Sequence, residues 1–229
     1  MACLPCLRAR ALSLSYVEAG CVGWGCGAVA GQVEEGLPLE TCDTLHANGA
    51  WGYTADHTPR PIDQVVKLLV RTAGFDANLL LNVGPRPDGL IQEEFQETLH
   101  QLGAWMRQFG HTIYDTRGGP MRPTEWGVAT RRGDRLWVHV LEWPQHLDEF
   151  HIALPGIKYQ DVRPGEVEVE SCHEPLCRYS QQDVQMLRDA DTDILELKIA
   201  VAIRDDFDTI LAFTLINGGG ASKQGRQEL

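Results

Sequence analysis

Two segments of the chain repeat apolar residues at the spacing of an α-helix, and we predict helices over residues 61–74 and 91–110. In the first, one helical face carries Ile62, Val65, Val66, Leu69 and Val70. In the second, the same period recurs at Phe95, Leu99, Leu102, Met106 and Phe109. Pro61 suits a first helical position, and Gly74 and Gly110 are typical stops.

Between these helices lies NLLLNV, residues 78–83, a short and nearly all-apolar run. Such a run is typical of a parallel strand that is buried on both faces. Helix, strand, loop and helix in this order indicate an α/β unit. In such units the functional site lies at the carboxyl ends of the strands. We therefore expect the loop from Asn82 to Gly89 to border a site, with Asn82 bonding the neighbouring loop and Asp88 serving a turn.

After residue 120 the apolar period changes to two, which predicts β-strands. Alternating runs occur at residues 135–143, 150–154, 166–170, 193–199 and 209–215. Turn residues such as Gly133 and Gly156 separate them. We therefore predict a separate antiparallel β-sandwich over 121–216, with His139 and His151 facing outward from its sheets.

The two ends of the chain lack these periods. Residues 1–36 are rich in Cys, Gly and Ala and match no element, and the polar, Gly-rich residues 217–229 predict a disordered tail. The chain has seven cysteines. Cys3-x-x-Cys6 has no second pair or histidine at zinc spacing, so no metal site is predicted. Cys172 and Cys177 are expected in a loop, as thiols or a local disulfide.

Composition narrows the classes of partner. The 229 residues suffice for one large domain or two small ones, and 43% hydrophobic residues are ordinary for a globular protein. The net charge of −12 argues against nucleic acid and anionic membranes. No apolar run reaches the length of a transmembrane helix, and no signal peptide is visible.

Chemistry-bearing residues concentrate in residues 37–57. A short apolar approach ends in Glu40, and Trp51-Gly52-Tyr53 follows. A carboxyl group at a strand end can act as a general acid, and an indole or phenol offers a flat face for the C–H side of a sugar. His46 could donate to a sugar hydroxyl. The alternative is a solvated Glu40, a core Trp51 and a surface or capping histidine.

The runs LETCDTLHANGAWGY and QVVKLLVRTAGFDANLLLNVGPRPDGLIQEEFQETLHQLGAWMRQFGHTIYDTRGGP strongly resemble the α-L-fucosidases, glycoside hydrolase family 29. The match is close over residues 37–120, and the strand-rich remainder looks like the family's C-terminal β-sandwich. The resemblance implies an α/β plus all-β fold, in which the last two or three βα units of a (β/α) barrel precede the sandwich.

The resemblance also implies retaining hydrolysis of terminal α-L-fucose from glycans. Glu40 matches the family's acid/base, and Trp51, Tyr53 and His46 are the expected substrate-binding residues. No cofactor or metal is implied, and the expected partners are fucosylated glycans. The family's usual compartments are lysosomal, secreted or periplasmic, which leaves the localisation of this chain unknown.

The nucleophile is the point at which the match fails. The family's nucleophilic Asp lies well upstream of the acid/base, and only 39 residues precede Glu40 here. A complete barrel needs about 250 residues, so we expect a truncated chain that lacks the nucleophile and is inactive alone. The alternatives are a non-catalytic carbohydrate-binding or structural sandwich, and a chain completed by a homo-oligomer or by a missing barrel half.

Overall fold

The computed structural model describes residues 39–143, 149–171 and 183–216. In these residues, helices and strands follow in chain order: β1 (Leu39–Thr44), α1 (Ile62–Gly74), β2 (Ala77–Asn82), α2 (Glu93–Phe109), β3 (Arg117–Gly118), β4 (Gly127–Arg132), β5 (Arg135–Val140), β6 (Glu149–Lys158), β7 (Val162–Val169), β8 (Val184–Arg188), β9 (Ile194–Ala200) and β10 (Thr209–Leu215). The predicted segments 1–36 and 217–229, and the loop with Cys172 and Cys177, lie outside the described residues.

The first part of the structure is a parallel pair of strands with a helix after each. β1 and β2 pair from Leu39 opposite Ala77 to Thr44 opposite Asn82. Both predicted helices are confirmed, at Ile62–Gly74 and Glu93–Phe109. The prediction that β2 is buried on both faces is wrong: its burial alternates, and Leu80 is 49% exposed. The odd-numbered residues of β2 face the helices, and Asn78 and Leu80 on its other face are exposed to solvent. That this strand pair belongs to a barrel stays a prediction.

The second part is a pair of antiparallel sheets packed face to face, in agreement with the predicted sandwich. One sheet has the order β3-β4-β5-β10-β7 and the other β6-β9-β8. The core between them is formed by alternate apolar residues of both sheets, such as Leu195, Leu197 and Ile199 of β9. Strand β8, which the alternation did not single out, buries only its first residue, Val184. Strand β3 belongs to the larger sheet although it precedes residue 121.

Helices α1 and α2 cover the outer face of the five-stranded sheet. Val70 and Phe109 of the helices share one apolar cluster with Val128, Trp137 and Ile210 of the strands. Strands β4, β5 and β10 of this sheet are therefore buried on both faces, between the helices and the second sheet. No helix among the described residues is long and apolar enough to cross a membrane.

This helical layer explains why one histidine prediction is wrong. His139 of β5 has no exposed surface, because the face that it occupies lies under the helices. Its Nδ1 lies 2.6 Å from Oδ2 of the buried Asp208, and its Nε2 lies 3.1 Å from the Thr130 hydroxyl. Burial raises the pKa of Asp208. His151, in contrast, is exposed as predicted.

Candidate functional site

The loop after β1 begins and ends beside Leu45, at the end of the strand. The Leu45 amide donates to the Asn82 carbonyl at 2.8 Å, and the Arg60 amide donates to the Leu45 carbonyl at 2.8 Å. Between these anchors, His46 bridges to Pro59. Residues 46–59 thus form a loop whose two ends lie side by side at the carboxyl ends of the two parallel strands.

The tip of this loop presents two aromatic side chains to solvent. Trp51 is 52% exposed and Tyr53 is 42% exposed, so the alternative of a core tryptophan does not hold. The Tyr53 ring lies 5.9 Å from the His57 ring. The rings continue inward, from His57 to Phe95 at 6.4 Å and from Phe95 to His46 at 4.5 Å between centroids. The exposed Tyr53 ring is therefore linked, through the His57 ring, to the buried ring of Phe95.

The loop after β2 lies against the first loop. A Cβ on Gly84 would come within 2.6 Å of the Gly52 carbonyl oxygen and 2.8 Å of His46 Nε2, so glycine is needed for this close approach. Further along, Arg86 donates to the Asp88 carboxylate at 2.5 Å. This pair raises the pKa of Arg86 and lowers the pKa of Asp88. Asp88 Oδ1 also accepts from the Leu90 amide at 3.0 Å, which confirms its predicted turn role.

His46 lies beneath both loops and is completely buried. Neither ring nitrogen has a hydrogen-bond partner. Burial lowers the pKa of His46, and the neighbouring His57 lowers it further. The position supports the loops from below, so a direct contact of His46 with a sugar stays a prediction.

Asp43 and Arg60 hold the base of the first loop. Arg60 donates to both carboxylate oxygens of Asp43, at 3.0 and 2.6 Å, and the Thr44 amide donates to Oδ1 at 2.7 Å. Asp43 itself is a buried residue near the end of β1. This ion pair joins the end of the loop, at Arg60, to strand β1.

Glu40 is placed differently from the sequence expectation. It is the second residue of β1, and therefore lies at the amino end of the strand rather than at its end. Its exposed carboxylate accepts a hydrogen bond from Asn78 Nδ2 at 2.8 Å. Four residues along a strand span about 13 Å, so Glu40 lies well below Thr44 and the loops. Its acid/base role stays a prediction that this geometry does not support.

The structure thus brings together Trp51, Tyr53 and His46, and leaves Glu40 apart from them. It adds Arg86 of the loop after β2, whose guanidinium donates to Asp88. Arg86 lies in the loop that follows a predicted strand, and that position was the available signal for it. The exposed Trp51 ring offers a flat apolar surface, and the Tyr53 hydroxyl and the Arg86 guanidinium are polar groups on the same two loops; such a combination suits a neutral, hydroxylated ligand.

Comparison with known proteins finds similarity to the alpha-L-fucosidases over part of the chain. Residues 28–111 match the family model described as alpha-L-fucosidase. A curated relative, the alpha-L-fucosidase of Branchiostoma floridae, is 35% identical over 113 residues, which cover 46% of this chain and 24% of the relative. The chain therefore spans about a quarter of the length of the curated relatives that it matches.

Solved structures agree over a larger part of the chain. Alpha-L-fucosidase isoenzyme 1 from Paenibacillus thiaminolyticus is 29% identical, with a TM-score of 0.58 over 78% of this chain and 40% of its own. A trapped covalent intermediate of the alpha-L-fucosidase from Bacteroides thetaiotaomicron, with 2-fluoro-fucosyl fluoride, is 18% identical with a TM-score of 0.54. It covers 77% of this chain and 38% of its own, and shows a shared fold.

Proposed function

We propose that this chain, which is related to the α-L-fucosidases, binds terminal α-L-fucose of glycans at the loops after β1 and β2 and takes part in its hydrolysis. One observation carries the proposal. Trp51 and Tyr53 stand exposed at the carboxyl ends of two parallel strands, within the segment that matches the family. That end of such strands is where α/β enzymes bind their substrates.

The chemistry of fucose suits this surface. The sugar is a 6-deoxyhexose, so it offers a methyl group and a C–H face beside its hydroxyl groups. The Trp51 ring can cover the apolar side, because large aromatic rings bury apolar area without a polar cost. The Tyr53 hydroxyl both donates and accepts, and the exposed Arg86 donates, so both can pair with sugar hydroxyls.

Retention needs two carboxyl groups about 5–5.5 Å apart, one as nucleophile and one as acid/base. The covalent intermediate of the Bacteroides thetaiotaomicron fucosidase has the form that such a reaction produces. In this chain we assign no nucleophile among the described residues, and Glu40 is separated from the aromatic pair. We therefore propose that the chain alone binds fucosides without turning them over.

A partner polypeptide would complete the reaction under this proposal. The sheet of β1 and β2 has only two strands among the described residues, so each strand has an edge that faces no other described strand. Open edges of this kind can accept further strands. A second chain that supplies strands and a nucleophile would extend the sheet and complete the carboxylate pair.

The alternative of a carbohydrate-binding sandwich has less support. Aromatic platforms are the usual means of binding sugar rings, and the exposed aromatic residues of the described chain are Trp51, Tyr53, Phe75 and Tyr114. All four precede residue 121 and lie outside the predicted sandwich. A structural role of the sandwich, as support for the helices, agrees with the shared apolar cluster.

Binding is tested by titrating the purified chain with methyl α-L-fucoside while the NMR signals of the sugar itself are followed, because this readout also works in variants that lack Trp51. We expect binding in the millimolar range, and about tenfold weaker binding in Trp51→Ala, which corresponds to about 1.4 kcal/mol. The matched control is Tyr114→Ala, another exposed aromatic that lies after α2. Equal affinity in Trp51→Ala and the wild type would contradict the proposed surface.

Turnover is tested separately on 4-nitrophenyl α-L-fucoside, with the wild-type chain and Glu40→Gln. We expect no hydrolysis by either protein. Hydrolysis by the wild type that Glu40→Gln abolishes would contradict the inactivity and would assign Glu40 the acid/base role.

A further inference from the structure

We infer that Asn82, together with Thr44, is a positioning residue that fixes the backbone of Trp51; the inference rests on the proposed binding of fucosides at this surface. The two residues end neighbouring strands and lie opposite each other in the parallel register. Their side chains share the even face of the sheet, and both point to the tip of the loop after β1.

Their hydrogen bonds hold two consecutive carbonyl groups. The Thr44 hydroxyl donates to the Ala50 carbonyl at 2.8 Å. The Asn82 amide donates to the Trp51 carbonyl at 2.9 Å and to the Thr44 hydroxyl at 3.3 Å. Since adjacent carbonyls define the orientation of the peptides on both sides of Trp51, these bonds set the direction of its Cα–Cβ bond.

The Trp51 backbone depends on hydrogen bonds because side-chain packing restrains it little. The Trp51 side chain is half exposed. Gly49 (φ +77°) lies two residues before it and Gly52 follows it, and a Cβ at either glycine would meet no atom within 4 Å. Glycine gives a backbone wide conformational freedom. The hydrogen bonds from the strand ends therefore fix the Trp51 backbone, together with the bond from the Ala50 amide to Asn48 Oδ1 at 3.0 Å and the contact of Gly52 with Gly84.

The Asn82 donors act on the loop. An asparagine amide has two N–H donors, and Asn82 directs them to the Trp51 carbonyl and the Thr44 hydroxyl. Neither donor remains for a sugar hydroxyl, so Asn82 can donate to the loop of Trp51 but not to a ligand.

The test compares Asn82→Leu with Asn78→Leu in the full chain. Both asparagines lie on the same face of β2, but Asn78 donates to Glu40 at the other end of the strand. Leucine has a similar size and lacks the amide. We expect Asn82→Leu to move and broaden the Trp51 indole NMR signal, assigned with Trp51→Phe, and to raise the Kd for methyl α-L-fucoside about five- to tenfold. Asn78→Leu should change neither.

Thr44→Val is the second variant, because it removes the hydroxyl with little change of volume. It should move the same indole signal while circular dichroism stays that of the wild type. An unchanged indole signal in both Asn82→Leu and Thr44→Val would overturn the inference, as would equal changes in Asn78→Leu. If the wild type does not bind the fucoside, the proposed function fails, and the indole signals of the ligand-free variants still decide the positioning role.

Discussion

At the scale of single residues, His46 shows how the site depends on protonation. The ring is buried beneath the loops that carry Trp51 and Gly84, and neither nitrogen has a partner. A charged imidazolium in this position loses its hydration, and the nearby His57, which lies 3.6 Å from Glu94, repels it further. Both effects favour the neutral ring in the folded state and lower its pKa.

The predicted consequence is a loss of stability in acid. The folded-state pKa of His46 lies below the ordinary 6.5, so the unfolded chain binds the proton more readily. Stability from this group is complete above pH 6.5 and declines as the pH falls from 6.5 to the folded-state pKa. The slope is at most about 1.4 kcal/mol per pH unit.

Urea unfolding at a series of pH values measures this slope. His46→Gln should reduce the change in the free energy of unfolding between pH 6.5 and the folded-state pKa of His46. His151→Gln, at an exposed strand position, should leave this change as it is in the wild type. The same slope in the wild type and in His46→Gln would assign the acid sensitivity to other groups.

At the scale of elements, the end of α1 meets the five-stranded sheet through backbone atoms. A Cβ on Gly118 of β3 would overlap the Gly74 carbonyl oxygen and lie 2.7 Å from the Asp76 nitrogen. Asp76 secures this contact, because its carboxylate accepts from the Gly118 amide at 3.0 Å and from Arg117 at 2.6 Å. The joint between helix and sheet therefore has no space for a side chain at Gly118.

Two glycine-to-alanine variants test this joint. Gly118→Ala should reduce the free energy of unfolding by about 1–3 kcal/mol, since backbone atoms must move to admit the methyl group. Gly103→Ala is the matched control, because a Cβ there meets only the Arg107 side chain at 3.6 Å. It should stabilise α2 by about 0.5–1 kcal/mol. Urea unfolding measures both, and a neutral Gly118→Ala would show that β3 can separate from α1.

At the scale of the whole molecule, the helices and the sandwich share one core. Strand β10 is buried on both faces: Leu211 and Phe213 face the second sheet, and Ile210 and Ala212 face the helices. An isolated sandwich would expose the latter face to water. The two parts of the molecule are therefore expected to unfold as one cooperative unit.

Thermal unfolding followed by two probes tests this cooperativity. Helix circular dichroism and tryptophan fluorescence should give the same midpoint. Phe109→Ala in α2 should lower both midpoints together and cost about 3–5 kcal/mol, whereas Leu187→Ala on the exposed side of β8 should change them little. Separate transitions for the two probes would contradict a single cooperative unit.

Individual residues show which positions the apolar pattern predicted correctly and which it did not. Val65, Val66 and Val70 lie on the buried side of α1 as their spacing predicts. The position of Glu40 was misjudged because β1 continues through Thr41 and Thr44, whose polarity hides a strand. His139 was misjudged because alternation reveals two faces of a strand but not which layers cover them.

The sequence by itself determined the two helices, most of the sandwich strands, and the family resemblance that singled out Trp51 and Tyr53. These signals are local, since they depend on the period of apolar residues and on short motifs. Only the tertiary structure decided that the helices cover the sheet, that His46 is buried, that Asn82 and Thr44 hold the loop of Trp51, and that Glu40 lies at the far end of its strand. These contacts join residues that are distant in the chain, so no local pattern carries them.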